Sequence, residues 1–283
     1  MEDYKGIKYI IGLADVHIPN SKGMDDLKGV MEAFIKQAKK IVKDAGGPER
    51  VRIAICGDIY DMKVDVANES ILTCHWFLQE LDKICPTIVI AGNHDLNMFN
   101  LAKIDSITPI FEMSNFKQTR YLDREFGYKS GYVKDDNVVW CLYSTFSGFE
   151  KPAFEADKEV NDDPSVKYIG LIHGDINGAT TALNRVTDDS LSVNLFDGTD
   201  FVIAGHIHKR QEIEGNGTTI VYCSSLKQKD FGETVSGHGF VLYDVENGTH
   251  KFIDTPNKVG NYVKISITNS DDILNNKEIV LNE

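Results

Sequence analysis

Cations are the minority charge in this 283-residue chain: 30 Lys and Arg stand against 43 Asp and Glu, a formal net charge of −13. That balance cuts against a simple nucleic-acid binder, because phosphate backbones are neutralised by Lys and Arg. A cluster of metal-binding carboxylates would inflate the acidic count, however, and its cations would reverse the local sign. Also missing is any apolar run near the ~18–20 residues a membrane span needs. The first residues, Met1-Glu2-Asp3-Tyr4-Lys5, lack the basic-then-apolar order of a secretory signal. Cysteine is sparse and unpatterned: Cys56, Cys74, Cys85, Cys141 and Cys223 are odd in number and contain no CxxC pair. This excludes a disulfide frame or zinc knuckle and reads as reduced core thiols of a cytoplasmic protein. No internal repeat is evident. With 42% hydrophobic residues the chain is too apolar for wholesale disorder, and it is long enough for one large domain or a core domain with an appendage.

The first third alternates strands and helices. Lys8–Ala14, Val51–Cys56 and Thr87–Ala91 read as buried strands. Between them, Met24–Asp44 carries Leu27, Val30, Met31, Phe34, Ala38, Ile41 and Val42 at helical spacing, and Ala45-Gly46-Gly47-Pro48 stops it. Val66–Ile84 reads as a second helix, with Ile71, Leu72, Cys74, His75, Leu78 and Leu81 near one stripe. Strand–helix alternation of this kind predicts a parallel sheet. The rest is mostly β: a hairpin of Phe126–Val133 and Val138–Tyr143 around 134–137, short buried strands Tyr168–Ile172 and Phe201–Ala204, then Gln211–Glu214, Thr218–Cys223, Gly239–Tyr243 and Lys251–Ile253. The architecture this predicts is α/β, with two sheets face to face and helices outside. The polar stretch 269–277 reads as a loose tail.

Five motifs each follow a predicted strand: Asp15-Val16-His17, Gly57-Asp58-Ile59-Tyr60-Asp61, Gly92-Asn93-His94-Asp95, His173-Gly174-Asp175 and Gly205-His206-Ile207-His208. They hold His17, His94, His173, His206 and His208, five of the eight histidines. Buried strands ending in Asp, Asn and His are costly unless those groups are satisfied, and a metal centre satisfies them together. Strand ends are rigid and converge at the carboxyl edge of a sheet. The x-spacing in Asp15-x-His17 and His206-x-His208 points both side chains one way if the strand continues. Glycine before Asp58, Asn93 and His206 lets the backbone turn tightly. A mixed Asp/His/Asn set suits manganese, iron or zinc better than an all-oxygen set would. His75 reads as a core histidine, and His238 and His250 as loop or surface residues.

On these motifs the chain resembles the calcineurin-like metallophosphoesterase superfamily over residues 7–254. The resemblance implies a four-layer α/β/β/α sandwich, two mixed sheets flanked by helices. It implies two divalent metal ions, one held by Asp15, His17, Asp58 and His208, the other by Asp58, Asn93, His173 and His206, with Asp58 bridging. It places His94 above the phosphate as the acid for the leaving oxygen, oriented by Asp61, with Asp95 and Asp175 behind. Such a centre makes hydroxide available near neutral pH for in-line attack on phosphorus and absorbs developing charge.

Within the superfamily, Tyr222–Glu233 (YCSSLKQKDFGE) and Gly237–Asp244 (GHGFVLYD) resemble segments of SbcD-type nucleases of double-strand-break repair. This implies a manganese-dependent DNA exonuclease and endonuclease (Mg2+, Fe2+ and Zn2+ being the other candidate ions). It implies a homodimer through Val66–Phe77 and Asn97–Phe111, an SbcC-type coiled-coil ATPase partner, no membrane, and a cytoplasmic location (host cytoplasm for a viral protein). Lys227 and Lys229 are the candidate DNA contacts. The domain reading is 1–256 for the nuclease domain and 257–283 for a tail or the start of a capping domain, which Tyr262–Ile267 resembles. Four features bear on the family pattern: Ser224 stands where glycine is usual, the His173 motif reads His-Gly-Asp where nucleases vary, Leu96-Asn97 stands where a proline is common nearby, and the chain ends where relatives continue into a cap and ATPase-docking helices. The competing readings are another metallophosphoesterase, a phosphatase or cyclic nucleotide phosphodiesterase acting on a phosphoprotein, nucleotide or cyclic nucleotide, and a non-catalytic scaffold.

Overall fold

The computed structural model describes residues 6–263, apart from 64, 101, 161–162, 182, 184, 187–189 and 259. The expected tail at 269–277, and all of the expected cap beyond residue 263, lie outside the described residues. The first sheet contains β1 (Tyr9–Leu13), β2 (Val51–Cys56), β3 (Thr87–Ile90), β4 (Thr119–Tyr121), β11 (Gly239–Asp244) and β12 (Thr249–Asp254). Its order is β12-β11-β1-β2-β3-β4, parallel from β1 to β4 and antiparallel at β11 and β12. The second contains β5 (Gly131–Asp135), β6 (Val138–Tyr143), β7 (Lys167–His173), β8 (Phe201–Gly205), β9 (Gln211–Glu214) and β10 (Thr219–Tyr222), in the order β5-β6-β7-β8-β10-β9. Both sheets are therefore mixed, as the resemblance implied.

The sheets stack through an apolar layer in which Ile10, Ala54 and Ile88 of the first meet Trp140, Leu171 and Ile203 of the second. Adjacent residues of the first sheet point the other way: Ile11, Ile53 and Val89 pack with Phe34, Phe77 and Leu78. Burial on both faces explains why β1 and β2 are continuous apolar runs without alternation. Phe34 lies on α1 (Met24–Ala45), which buries Leu27, Val30, Met31, Phe34, Ile35, Ala38 and Val42. Asp25 and Asp26 sit in its positive first turn, and Gly46, with a left-handed φ of 103°, ends it. Among the described residues no helix is long and apolar enough to cross a membrane, and all five cysteines are buried and free.

Three local expectations change. The second helix, α2, runs Asn68–Asp82 and buries Ser70, Cys74, Phe77, Leu78 and Leu81. Leu72 is 67% exposed, and His75 is only partly buried, because the true stripe follows 70, 74, 77, 78 and 81. The hairpin is tighter: β5 starts at Gly131, and Phe126 instead closes a short helix, Leu122–Glu125, by donating from its N–H to Leu122 O. The outer face of the second sheet is covered by short pieces, the α-turn Glu155–Val160 and a 3-10 turn Val193–Phe196, with Phe154 and Phe196 packing against Tyr143 and Tyr168. Among the described residues, long helices cover one side only.

Candidate metal centre

The strand ends of both sheets meet at one edge. Asp15 and His17 follow β1, Asp58 follows β2, Asn93 and His94 follow β3, His173 ends β7, and His206 and His208 follow β8. The chain must turn sharply there, and Asp15 (φ 54°), His17 (φ 50°), Asp58 (φ 51°) and His206 (φ 95°) all adopt the left-handed conformation that non-glycine residues avoid. The three glycines that open motifs, Gly57, Gly92 and Gly205, have a further reason to be glycine. A Cβ on Gly57 would stand 2.5 Å from His173 Nδ1, one on Gly92 2.3 Å from Asp58 N, and one on Gly205 2.2 Å from Cys56 O. Only Gly57 also has a positive φ, 79°; at Gly92 and Gly205 the requirement is close approach of neighbouring strand ends rather than turning.

Asp58 stands in the middle. Its Oδ2 lies 3.8 Å from His17 Nε2 and its Oδ1 3.2 Å from His173 Nε2. On one side, His17 Nε2 and His208 Nε2 are 2.9 Å apart, and His208 Nε2 is 3.7 Å from Asp15 Oδ1. On the other, Asn93 Oδ1 lies 2.8 Å from His206 Nδ1 and 3.2 Å from His173 Nε2. Asp15, His17 and His208 form one compact donor group, and Asp58, His173 and His206 another; a third joins His17, Asp58 and His94. Asp15 and Asp58 are 1% and 2% exposed. Carboxylates so deep need cations beside them. Burial raises the Asp15 carboxyl above its usual range despite His208 and His173. At Asp58 burial acts the same way, but His173 overcomes it and holds the carboxyl well below that range. In turn, burial pulls the His173 imidazole down while Asp58 pushes it up to about 9. Burial and then His208 hold His17 well below an ordinary imidazole, and a neutral imidazole is the ligand form. Chemically, the donor set fits a pair of divalent ions sharing Asp58.

The three imidazoles of the second sheet each have the outward nitrogen engaged, the arrangement that fixes the inward one as a donor to metal. His173 Nδ1 is 2.8 Å from the Cys56 carbonyl, which can only accept, so Nδ1 carries the proton and Nε2 faces the cluster. His206 Nε2 is 3.4 Å from Asp175 Oδ2. His208 Nδ1 bonds Glu233 Oε1. Glu233 is itself placed by Lys229 N at 2.9 Å and Ser225 Oγ at 3.3 Å. Within the sequence, Glu233 was visible only as the end of a resembling segment; nothing at its position points to a histidine 25 residues away. Asp95 holds the frame: its carboxylate accepts from Ile59 N and Tyr60 N at 3.0 Å and from Gly92 N at 2.9 Å. Burial and Asp58 push it up to about 7 against those donors.

His94 stands beside the cluster, its Nε2 3.9 Å from Asp58 Oδ2. Its Nδ1 is 2.6 Å from Asp61 O, so the orienting group is the main-chain carbonyl of Asp61 and not its carboxylate. The Asp61 carboxylate instead lies 2.7 Å from Lys229 Nζ, which is 3.5 Å from His17 Nδ1. Lys229 thus reaches the cluster, whereas Lys227 faces the first turn of α1, 3.7 Å from Asp26 Oδ2. His238, expected in a loop or at the surface, lies in a loop but is buried behind the site, its Nδ1 2.9 Å from Ser225 Oγ and its Nε2 2.7 Å from Thr234 O. His250 lies on β12 beside Glu212 at 3.1 Å.

The sequence pattern of the calcineurin-like phosphoesterase superfamily domain matches residues 9–248. An uncharacterized protein of Acanthamoeba polyphaga mimivirus, R555, is 31% identical over 262 residues, 90% of this chain. The chain spans only 18% of that protein's length. Among solved structures, a novel archaeal phosphodiesterase is 13% identical with a TM-score of 0.37, over 86% of this chain and 97% of the other. GAP50, the anchor in the inner membrane complex of Plasmodium, is 13% identical with a TM-score of 0.48, over 89% and 90%.

Proposed function

The chain belongs to the calcineurin-like phosphoesterase superfamily, and from that premise we propose that it is a metal-dependent DNA nuclease of the SbcD type that processes DNA ends in repair or recombination. The observation that carries this reading is the reach of Glu233 to His208. The segment Tyr222–Glu233, which resembles that branch of the superfamily, is thereby part of the candidate metal centre and not a remote loop.

In this reading Asp15, His17, Asp58 and His208 hold one ion and Asp58, Asn93, His173 and His206 the other, with manganese the favoured metal. Bound there, such a pair would supply hydroxide near neutral pH and offset charge on the phosphate. The chain's own residues do the rest. Asp58 fixes the spacing of the two donor groups and accepts from His94 N at 2.8 Å. The Asp61 carbonyl keeps the proton on His94 Nδ1, so Nε2 is the nitrogen that protonates and then gives its proton to the departing oxygen. Lys229 adds positive charge beside His17. Exposed Leu72 and the exposed Phe99 and Ile104 lie in the two segments expected at a dimer interface, which supports a homodimer. An SbcC-type ATPase remains the proposed partner.

The test is cleavage of end-labelled linear duplex and single-stranded DNA in manganese, with His94→Ala alongside. Manganese-dependent shortening, lost in the variant, is the expected result. Variant-sensitive hydrolysis of a small phosphodiester without DNA cleavage would instead assign the site to another phosphoesterase activity, which the −13 net charge would suit.

A further inference from the structure

We propose that Phe231 and Tyr262 form a stacking platform for an unpaired nucleobase next to the scissile phosphate, so that the site takes an unstacked strand rather than an intact duplex. This rests on the nuclease reading and narrows its substrate. Phe231 is 63% exposed and Tyr262 45% exposed, yet their rings meet with centroids 4.9 Å apart. Two large aromatics left in water on a rim are unusual unless something covers them.

The pair is fixed from beneath. Buried Gln228 donates from Nε2 to Tyr262 O at 3.1 Å and accepts from Tyr262 N at 2.7 Å, and Asn261 Nδ2 reaches Val235 O at 2.8 Å. The segment that carries Tyr262 is thereby pinned to the loop that carries Lys229, Phe231 and Glu233. Tyr262 also lines a cavity of about 160 Å³ whose wall includes His17, Asp61, Lys22, Lys227 and Lys229. The cavity meets the candidate metal centre at His17, and three lysines stand on it in a chain whose net charge is −13. Aromatic faces beside cations form the recognition surface for single strands, in which bases stack and phosphates meet positive charge. A phosphomonoester or phosphoprotein would engage the lysines but offer no base to the rings.

The test measures binding in a His94→Ala background. The probes are a short single strand of thymidylate and an abasic sugar-phosphate strand of equal length. Thymidylate should bind about 5- to 100-fold more tightly than the abasic strand. Phe231→Ala should remove that preference while the abasic affinity stays put, and Phe231→Tyr should restore it. Lys22→Ala should weaken both strands and flatten the salt dependence. Equal affinity for the two strands overturns the platform, as does a Phe231→Ala loss that is the same for both. If the wild-type protein cuts DNA while the strands bind equally, the platform fails and the nuclease reading stands. If it neither binds nor cuts DNA, both fail. A Phe231-dependent dimer in sedimentation would give the aromatic pair to a second copy of the chain and also overturn the platform.

Discussion

The two halves of the molecule present their candidate ligands by different means. In the first, Asp15, His17, Asp58 and Asn93 stand at the ends of parallel strands whose outer face lies under α1 and α2, and the turns are tied by backbone donors to Asp95. In the second, His173, His206 and His208 stand on a sheet that no long helix covers among the described residues, and each imidazole is set by one outward partner: Cys56 O, Asp175 or Glu233. The first half therefore fixes its ligands through the main chain, the second through single hydrogen bonds to rings. Damage to the first should cost the fold, and damage to the second should cost metal.

The largest test of that contrast is Gly57→Ala. Its Cβ would meet His173 Nδ1 at 2.5 Å and the Gly92 backbone at 2.7 Å, at a left-handed φ. A loss of about 3 kcal/mol in denaturant unfolding is expected, from strain and overpacking together; a wild-type midpoint would break the comparison. Next comes Glu233→Gln, for which calorimetric titration with manganese should show one of two ions weakened about 10- to 100-fold with unfolding nearly unchanged. Asp175→Asn should act on the other ion and less strongly, because the Asp175 side chain is 39% exposed against 7% for Glu233. If both ions weaken equally in either variant, the two ends are not separately held.

A smaller effect belongs to the frame. Asp82 accepts from Lys117 N, Gln118 N and Thr119 N and Oγ1 at 2.8–3.0 Å. Burial raises its carboxyl, but these donors prevail and hold it below the usual carboxylate range. Because the folded value is depressed, the stabilisation is complete above the unfolded value of about 3.9 and is lost as pH falls through the folded one. Asp82→Asn should cost about 1 kcal/mol at pH 7 and progressively less below pH 4, with metal affinity unaffected. Smallest of all is Ser224→Gly. Ser224 has a φ of 78° and donates to His208 O at 2.7 Å. Relief of strain and loss of the hydrogen bond should nearly cancel, leaving unfolding within about 0.5 kcal/mol of wild type.

Much of this was legible in the sequence because it is local. The run Val51–Cys56 gave its strand without error, and α1 followed from its apolar spacing, since both depend on residues a few positions apart. The convergence of five motifs was readable because each follows a strand and strand ends share an edge. What escaped depends on long-range meetings. His208 finds Glu233 only once β9 and β10 have folded back, and His238 is buried by Ser225 and Thr234. The choice of the Asp61 carbonyl over its carboxylate is set by Lys229, 168 positions on in a different loop. Leu72 misled because an apolar residue at the wrong angle of a helix looks the same in a list of residues as one at the right angle.

The backbone at His17 and His206 has a consequence for how such a protein can change. Among the described residues no main-chain donor is bonded to either side chain, and both sit at a positive φ that glycine adopts freely. Relief at such a position is worth roughly 1 kcal/mol. Substitution by glycine is thus a strain-relieving exit at these two sites, toward a relaxed backbone with an incomplete centre. A lineage that keeps histidine there is held back from that exit by the work the centre does, and one relieved of that work would be expected to lose these two side chains before it lost the fold.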